Sequence, residues 1–180
     1  MTNFSALAQG LKARPRQTFH HGNFRQSAVL VPILDPGELL FIVRTDGLRS
    51  HAGQIAFPGG VREPEDDFPI GTALRETFEE LALPSDSVEV LGLLDDIPTP
   101  SGFRITPVVG RVAPFTELCL APHEVASVFR VPLEELASRY SHDGAREFLG
   151  VTYVMHQYQW DEYKIWGATA RMVYQLLELL

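Results

Sequence analysis

Residues 53–83 read GQIAFPGGVREPEDDFPIGTALRETFEELAL. This stretch contains a short apolar run that ends at the glycine pair Gly59-Gly60, then an acidic loop, then a segment with helical periodicity. The pattern predicts a strand over 54–57 and a helix from about Pro69, because proline suits the first turn of a helix. The helix is expected to end before Pro84, since the residue preceding a proline disfavours helical backbone angles.

The predicted helix has two adjoining faces of different chemistry. At 100° per residue, one arc is apolar and is expected to face a core. That arc comprises Ile70, Ala73, Leu74, Thr77, Phe78 and Leu81. Glu76, Glu79 and Glu80 share the neighbouring arc, with Glu80 at its apolar edge. A like-charge pair at i,i+4 costs an exposed helix roughly 0.2–0.5 kcal/mol, so a positive partner is expected.

Two partners fit this carboxylate face. Mg²⁺ or Mn²⁺ is one candidate, because hard divalent cations take oxygen ligands. The alternative is a solvated helix face in which Arg75 pairs with Glu79 at i,i+4. The neighbouring motifs favour the metal.

Composition restricts the class of protein. The chain has 180 residues, 45% of them hydrophobic, which predicts a single globular domain over 1–180 with residues 1–22 as an N-terminal extension. A formal charge of −8 argues against binding to nucleic acid or to a membrane surface. Cys119, the single cysteine, lies between two leucines and is expected to be a buried, inert thiol. With neither a transmembrane run nor a signal-peptide core, the expected location is the cytoplasm.

The remaining chain alternates between strand and helix patterns. Pro32 suggests that its strand lies at an edge or contains a bulge, and residues 35–37 form a turn that makes 27–44 a hairpin. Further strands are predicted at 88–97, 104–112, 124–131 and 148–156, with helices at 132–140 and 168–180. Residues 141–147 are polar and are expected to form a mobile loop. This order predicts an α/β fold with helices flanking a mixed sheet.

A family resemblance rests on the acidic helix and the loop before it. Gly60, an acidic residue at Asp66 or Asp67, and the run R-E-x-x-E-E over 75–80 resemble the Nudix box, G-x5-E-x7-R-E-U-x-E-E-x-G-U. The glycine-to-arginine spacing is one residue longer than in that pattern, and the early acid is aspartate.

Two later positions also differ from the box. Thr77 stands where an aliphatic residue is usual, and Ala82 stands where the second glycine is usual. The three helical carboxylates are intact.

A narrower resemblance lies just upstream. The spacing R-x4-R-x3-G-x3-F-P-G-G over residues 44–60 is similar to the signature of coenzyme A pyrophosphatases within the Nudix family. The run IWGATA at 165–170 is similar to the last strand–helix junction of the same subgroup. Motifs in register at two separate places are more specific than either motif alone.

The resemblance implies a Nudix-type α/β/α sandwich and a divalent metal, Mg²⁺ or Mn²⁺. Its metal ligands would be Glu76, Glu79, Glu80 and the backbone carbonyl near Gly60. Arg75 would orient the carboxylates through bidentate hydrogen bonds.

The motif leaves the identity of the general base open. Glu79 is the first choice for this role. Glu124 and Glu147 remain alternatives, because some members of the family take the base from a distant loop.

The implied substrate is coenzyme A or a thioester of it, hydrolysed to 3′,5′-ADP and 4′-phosphopantetheine or its acyl form. Arg44 and Arg49 would clamp the phosphates, because a planar guanidinium suits phosphate, and His51 would add a hydrogen bond. Aromatic side chains could stack on adenine, line a pantetheine groove, or simply pack in the core. These are Phe103, Phe115 and Trp166.

Two alternatives to this function remain open. The first is a Nudix enzyme for another nucleoside diphosphate derivative, such as ADP-ribose or NADH. The second is a non-catalytic nucleotide-binding module, which would have no need for three mutually repelling acids.

Overall fold

The computed structural model describes residues 2–20, 22–46, 53–113 and 116–180. Within them lie a large mixed sheet, a smaller antiparallel sheet and helices on both faces of the large sheet. The strands are β1 (Arg25–Leu34), β2 (Glu38–Arg44), β3 (Ile55–Ala56), β4 (Gly59–Val61), β5 (Val88–Leu93), β6 (Ile97–Pro98), β7 (Phe103–Val112), β8 (Val125–Pro132), β9 (Tyr140–Phe148), β10 (Val151–Trp160) and β11 (Tyr163–Trp166). The helices are α1 (Phe4–Ala13), α2 (Ile70–Leu81), α3 (Leu133–Leu136) and α4 (Gly167–Leu177).

Strand β1 is the centre of the large sheet. It runs parallel to β7 along its whole length, and its other side pairs antiparallel with β4 and then with β2. The predicted hairpin is confirmed, because Leu34 pairs with Glu38 across the turn. Strand β2 continues the sheet to β3 and β8, and β7 continues it to β5 and β6.

The prediction that Pro32 marks an edge strand was wrong. Pro32 lies in the central strand and pairs with Gly110 of β7. The Leu30 N–H points away from β7, to the carbonyl of Pro58. Alternate residues of a strand point the same way, so the nitrogen of Pro32 faces the gap between the β4-paired and β2-paired segments. A missing N–H therefore breaks no ladder bond there.

Two hydrophobic clusters fill the two faces of the sheet. Alternate residues of β1 divide between them, as expected for a strand buried on both sides. Val31 and Ile33 pack with α1 and α4 in one cluster. Ala28 and Leu30 pack with α2 in the other. The helices thus form the outer layers, and the sheet forms the middle layer.

The polar segment 141–147 forms a strand, so the prediction of a mobile loop was wrong. It belongs to β9, which pairs with β10 on one side and is the edge of the three-stranded sheet. Nearly every residue of β9 is exposed, so no buried face imposed an alternating pattern on the sequence.

Cys119 is exposed, which corrects the expectation of a buried thiol. Leu118 and Leu120 pack against the α2 cluster. Cys119, between these two leucines, therefore lies at the surface and not in the core.

Candidate functional site

Helix α2 buries a face that only partly overlaps the predicted one, since Ala73, Thr77 and Leu81 are buried as predicted. Its buried residues are Thr72, Ala73, Thr77, Glu80 and Leu81. Ile70 and Phe78, predicted to face the core, are 37% and 56% exposed, so this part of the prediction was wrong. At 100° per residue, the buried arc is rotated by roughly 80° towards the carboxylates. The helix packs on β1 and on the glycines of β4, which leave room for its acidic side.

Glu80 is a buried carboxylate with one unsatisfied oxygen. Its side chain is 1% exposed, and Oε2 accepts a hydrogen bond from the Gly59 N–H at 3.0 Å. Oε1 has no hydrogen-bond partner among the described residues, although Nη1 of Arg44 lies 3.5 Å away. Burial raises the pKa of the Glu80 carboxyl to about 7, because desolvation disfavours the charged form.

Glu76 lies directly against the glycine pair. A Cβ atom on Gly60 would overlap the Glu76 carboxylate, so this approach requires glycine. The Gly60 carbonyl accepts a hydrogen bond from Oγ of Ser27 at 2.7 Å. Burial also raises the pKa of Glu76. The backbone at Gly60 and the carboxylates of α2 therefore meet in one place.

Arg75 joins the acidic loop to the helix. Its Nε and Nη2 donate to the two carboxylate oxygens of Asp66, each at 3.0 Å, and Nη2 also donates to the Val61 carbonyl. Nη1 donates to Oε2 of Glu79 at 3.2 Å, and Nη2 lies 3.1 Å from Oε1 of Glu76. The hydrogen bonds from Arg75 hold the pKa of Asp66 well below its usual range, and Asp66 raises the pKa of Arg75.

The acidic loop position that the sequence left open is occupied by Asp66. Besides Arg75, its carboxylate accepts hydrogen bonds from the Glu63 N–H and from Oγ1 of Thr72. Asp67 is exposed, and its carbonyl accepts the N–H of Gly71 at the start of α2. The extra residue in the loop therefore leaves the aspartate–arginine pair intact.

The glycine pair, Glu76 and Glu80 line a cleft of about 460 Å³. Its wall carries both cations and carboxylates. The charged side chains in its wall are Arg25, Arg44, Arg62, Glu63, Glu76, Glu80 and Glu124. This mixture gives the cleft acceptors for a cation and donors for a phosphate.

The three candidate bases lie in different surroundings. Glu124 lines the cleft, and its charge adds to the raised pKa of Glu76 and Glu80. Glu79 is 53% exposed and is held by Arg75. Glu147 lies on β9 and lines a separate cavity.

The structure describes some of the predicted substrate contacts and not others. Arg44 lines the cleft, whereas Arg49, His51 and Phe115 lie outside the described residues. The Phe103 ring lies beneath the guanidinium of Arg25, 5.2 Å from ring centroid to Cζ. Trp166 is 47% exposed, so it is not a core residue.

The cleft suits a hard divalent cation. Glu80 offers a buried oxygen that lacks a hydrogen-bond donor, and Glu76 lies beside the Gly60 backbone. Among the described residues, no three Asp, Glu, His or Cys side chains already form a ligand set, and Glu79 is hydrogen-bonded to Arg75. Glu76, Glu80 and the Gly60 carbonyl, which border the same cleft, would hold the ion. Glu79 would join them by leaving Arg75.

Sequence reasoning did not identify Arg25. It begins β1, about 50 residues before α2, and no motif marks it. The one hint in the sequence was its position just before a predicted strand. That strand pairs with the glycines of β4 in the structure. Its proximity to the carboxylates depends on the pairing of β1 with β4 and β7.

Comparison with known proteins agrees with the motif. The sequence profile of the NUDIX domain matches residues 24–151. A relative from Photorhabdus laumondii, named "Uncharacterized Nudix hydrolase NudL", is 42% identical over 161 residues, which cover 87% of this chain and 85% of the relative. The protein of the same name from Pectobacterium atrosepticum is 43% identical over 157 residues, covering 84% and 81%.

Solved structures agree on the fold. DR0079 from Deinococcus radiodurans superposes with a TM-score of 0.58 at 14% identity, covering 92% of this chain and 89% of that one. A MutT protein from Methanosarcina mazei Go1 gives 0.52 at 18% identity, covering 70% and 85%. The predicted α/β sandwich with a mixed sheet is confirmed. With its sequence profile, relatives and fold in agreement, the chain belongs to the Nudix hydrolase family.

Proposed function

We propose that this Nudix hydrolase cleaves the diphosphate of coenzyme A or its thioesters, giving 3′,5′-ADP and 4′-phosphopantetheine or its acyl form. The observation that carries the proposal is the cleft, where the unsatisfied oxygen of Glu80 lies near the Arg44 guanidinium. A diphosphate needs both a cation and guanidinium groups at one place. The upstream spacing over 44–60 supports coenzyme A over other diphosphates.

Glu76, Glu79, Glu80 and the Gly60 carbonyl would hold Mg²⁺ or Mn²⁺. The bound ion supplies charge neutralisation on the phosphate oxygens and a lowered pKa for a coordinated water. Arg75 keeps the helix and the acidic loop together through Asp66, and metal binding would replace the hydrogen bond by which it holds Glu79.

The substrate phosphates would meet two cations of this chain. Arg44 lies at the end of β2 and forms an ion pair with Glu80. A bound phosphate would replace Glu80 as the partner of Arg44, and a bound metal ion would replace Arg44 as the partner of Glu80. Arg25 faces the same cleft from β1, with its guanidinium backed by the Phe103 ring. Arg49 and His51 keep their proposed roles as further phosphate contacts.

Glu79 is the proposed general base, and Glu124 is the alternative because it already lines the cleft. The two are separated by pH–rate profiles of Glu79→Gln and Glu124→Gln. The variant that lacks the base should lose about 10²–10⁴-fold in kcat together with the acidic limb of its profile. The other variant should keep that limb.

The test of the substrate compares coenzyme A with dephospho-coenzyme A and ADP-ribose, each with Mg²⁺ and with EDTA. We expect hydrolysis that requires the metal and a higher kcat/KM for coenzyme A than for the other two. Equal values on all three substrates would favour a general nucleoside diphosphate pyrophosphatase. Tight binding without turnover of any of them would favour a non-catalytic module.

A further inference from the structure

A second cavity lies between the loop after β6, the β9–β10 hairpin and the start of α4. Its volume is about 230 Å³. Val154 and Met155 of β10 and Ala168 of α4 form part of an apolar wall. Arg146, Glu147 and Arg171 add charged groups to the rest of the wall, and the apolar part favours an uncharged, largely apolar portion of a ligand.

Arg171 is one of the charged residues that line this cavity. Its guanidinium lies over the Tyr153 ring, 4.7 Å from the centroid, and both residues line the cavity. Its Nε is buried and has no hydrogen-bond partner among the described residues. A buried donor without an acceptor costs free energy, and guanidinium groups can only donate. The cavity therefore suits an apolar chain that carries a carbonyl oxygen.

Two series of residue contacts run from this cavity towards the acidic cleft. Thr99 lines the cavity and donates its backbone N–H to the Phe103 carbonyl at 2.8 Å. The ring of Phe103 lies under Arg25, which lines the cleft. On the other side, Oγ1 of Thr169 in α4 donates to the carbonyl of Ile55 at 3.1 Å, in the strand that leads to the glycine pair.

We propose that this cavity binds the pantetheine arm and short acyl group of the substrate, with a carbonyl of that arm accepting a hydrogen bond from Arg171. The inference rests on the proposed function, because it names where the non-nucleotide half of that substrate lies. The diphosphate would remain in the cleft beside Arg25 and Arg44.

The first experiment measures binding without hydrolysis. S-butyrylpantetheine carries the arm but no phosphate, and the chain contains only three methionines as methyl NMR probes. We expect titration to shift the Met155 methyl signal and to leave that of Met172, which is 2% exposed in the core, unchanged. Absence of a Met155 shift up to millimolar ligand would overturn the inference.

Matched variants locate the ligand. Val154 is 43% exposed and Val151 is 51% exposed on the same strand, but only Val154 lines the cavity. Val154→Trp should abolish the Met155 shift, and Val151→Trp should retain it. Arg171→Met should weaken binding about tenfold, as expected for loss of one hydrogen bond from a charged donor. A Met155 shift that survives Val154→Trp would contradict the assignment.

A comparison of two substrates separates the proposal for this cavity from the proposed function. Val154→Trp should lower the ratio of kcat/KM for butyryl-coenzyme A to that for ADP-ribose by about tenfold, and Val151→Trp should not change this ratio. If coenzyme A compounds are not hydrolysed at all, the proposed function fails, while the Met155 signal still decides whether the cavity binds the arm. An unchanged ratio in Val154→Trp would overturn the inference.

Discussion

Glu80 shows how one side chain couples the stability of the protein to the chemistry of its cleft. Its carboxylate is buried, and Oε2 accepts a hydrogen bond from a backbone N–H. The Arg44 guanidinium lies 3.5 Å from Oε1 without forming a hydrogen bond to it. Since its pKa is raised to about 7, the neutral form is favoured in the fold at mildly acid pH. A charge buried in this way costs free energy unless a cation offsets it.

We predict that without metal the free energy of unfolding falls as pH rises from about 4.5 to about 7. In this window the unfolded chain has lost the Glu80 proton and the folded chain has kept it, so raising the pH favours unfolding. The total effect is ~3 kcal/mol at 1.36 kcal/mol per pKa unit. Urea titrations in EDTA at several pH values measure it.

Glu80→Gln should remove most of this slope, and Glu79→Gln, at a position that is 53% exposed, should retain it. Glu80→Gln should also lower kcat by at least about 10²-fold with Mg²⁺ present. A slope that is identical in wild type and Glu80→Gln would exclude Glu80 as its source.

Asp66 and Asp67 offer a matched pair of neighbouring acids. Asp66→Asn weakens a bidentate contact with Arg75 and should lower the free energy of unfolding by about 2 kcal/mol at pH 7. Asp67→Asn, on an exposed side chain, should change it by less than about 0.5 kcal/mol. Urea midpoints compare the two variants, and equal losses would contradict the pairing described for Asp66.

Helix α2 was predicted correctly in extent and only partly in orientation, because Ala73, Thr77 and Leu81 are buried but Ile70 and Phe78 are exposed. The 3.6-residue period and the flanking prolines place it at 70–81, close to the predicted bounds. Periodicity alone treats the most apolar arc as the buried one, and Phe78 and Ile70 dominate that arc. The sequence could not show that the Gly59 N–H would donate to the Glu80 carboxylate, because this contact joins residues about 20 positions apart.

The orientation of α2 can be tested with two truncations on the same helix. Leu81→Ala should cost about 2–5 kcal/mol, because Leu81 is fully buried and its removal leaves a cavity. Phe78→Ala should cost less than about 0.5 kcal/mol, since more than half of that side chain is exposed. Denaturant unfolding measures both, and a larger loss for Phe78→Ala would mean that the helix faces the other way.

The residue that follows α2 allows a second prediction about this helix. Ala82 follows the helix with φ 53° and ψ 29°, a left-handed conformation in which a Cβ atom is strained. Ala82→Gly should therefore raise the free energy of unfolding by about 0.5–1 kcal/mol, after the greater flexibility of unfolded glycine is subtracted.

Ala73→Gly, inside the same helix, is the control for Ala82→Gly. It should lower the free energy of unfolding by about 1 kcal/mol. The same urea titrations apply, and destabilisation by both glycines would exclude strain at Ala82.

In the molecule as a whole, the cleft joins elements from across the chain. Arg25 comes from β1, Arg44 from the end of β2, Glu80 from α2, and Glu124 from the turn before β8. Motif spacing identified Arg44 and the helical acids, because their neighbours in sequence are also their neighbours in space. It could not identify Arg25, whose position depends on strand pairing between distant segments. None of the helices in the described part of the chain is long and apolar enough to span a membrane.

Metal binding should stabilise the whole molecule, and more so at pH 8 than at pH 6. A cation needs Glu80 in its charged form, so below the pKa of about 7 the ion must first displace a proton. One proton displaced lowers the apparent affinity about tenfold per pH unit in that range. Because stabilisation grows with the ratio of free metal to its dissociation constant, the rise in Tm on adding Mg²⁺ should shrink as the pH falls.

Thermal unfolding of the protein with Mg²⁺ and with KCl at equal ionic strength measures this effect. The KCl sample is necessary because a chain with a formal charge of −8 is also stabilised by general screening of its self-repulsion. The difference between the two salts should be present at pH 8, reduced at pH 6, and largely absent in Glu80→Gln. If Mg²⁺ raised Tm no more than KCl at pH 8, the buried carboxylate would have to be explained without a cation.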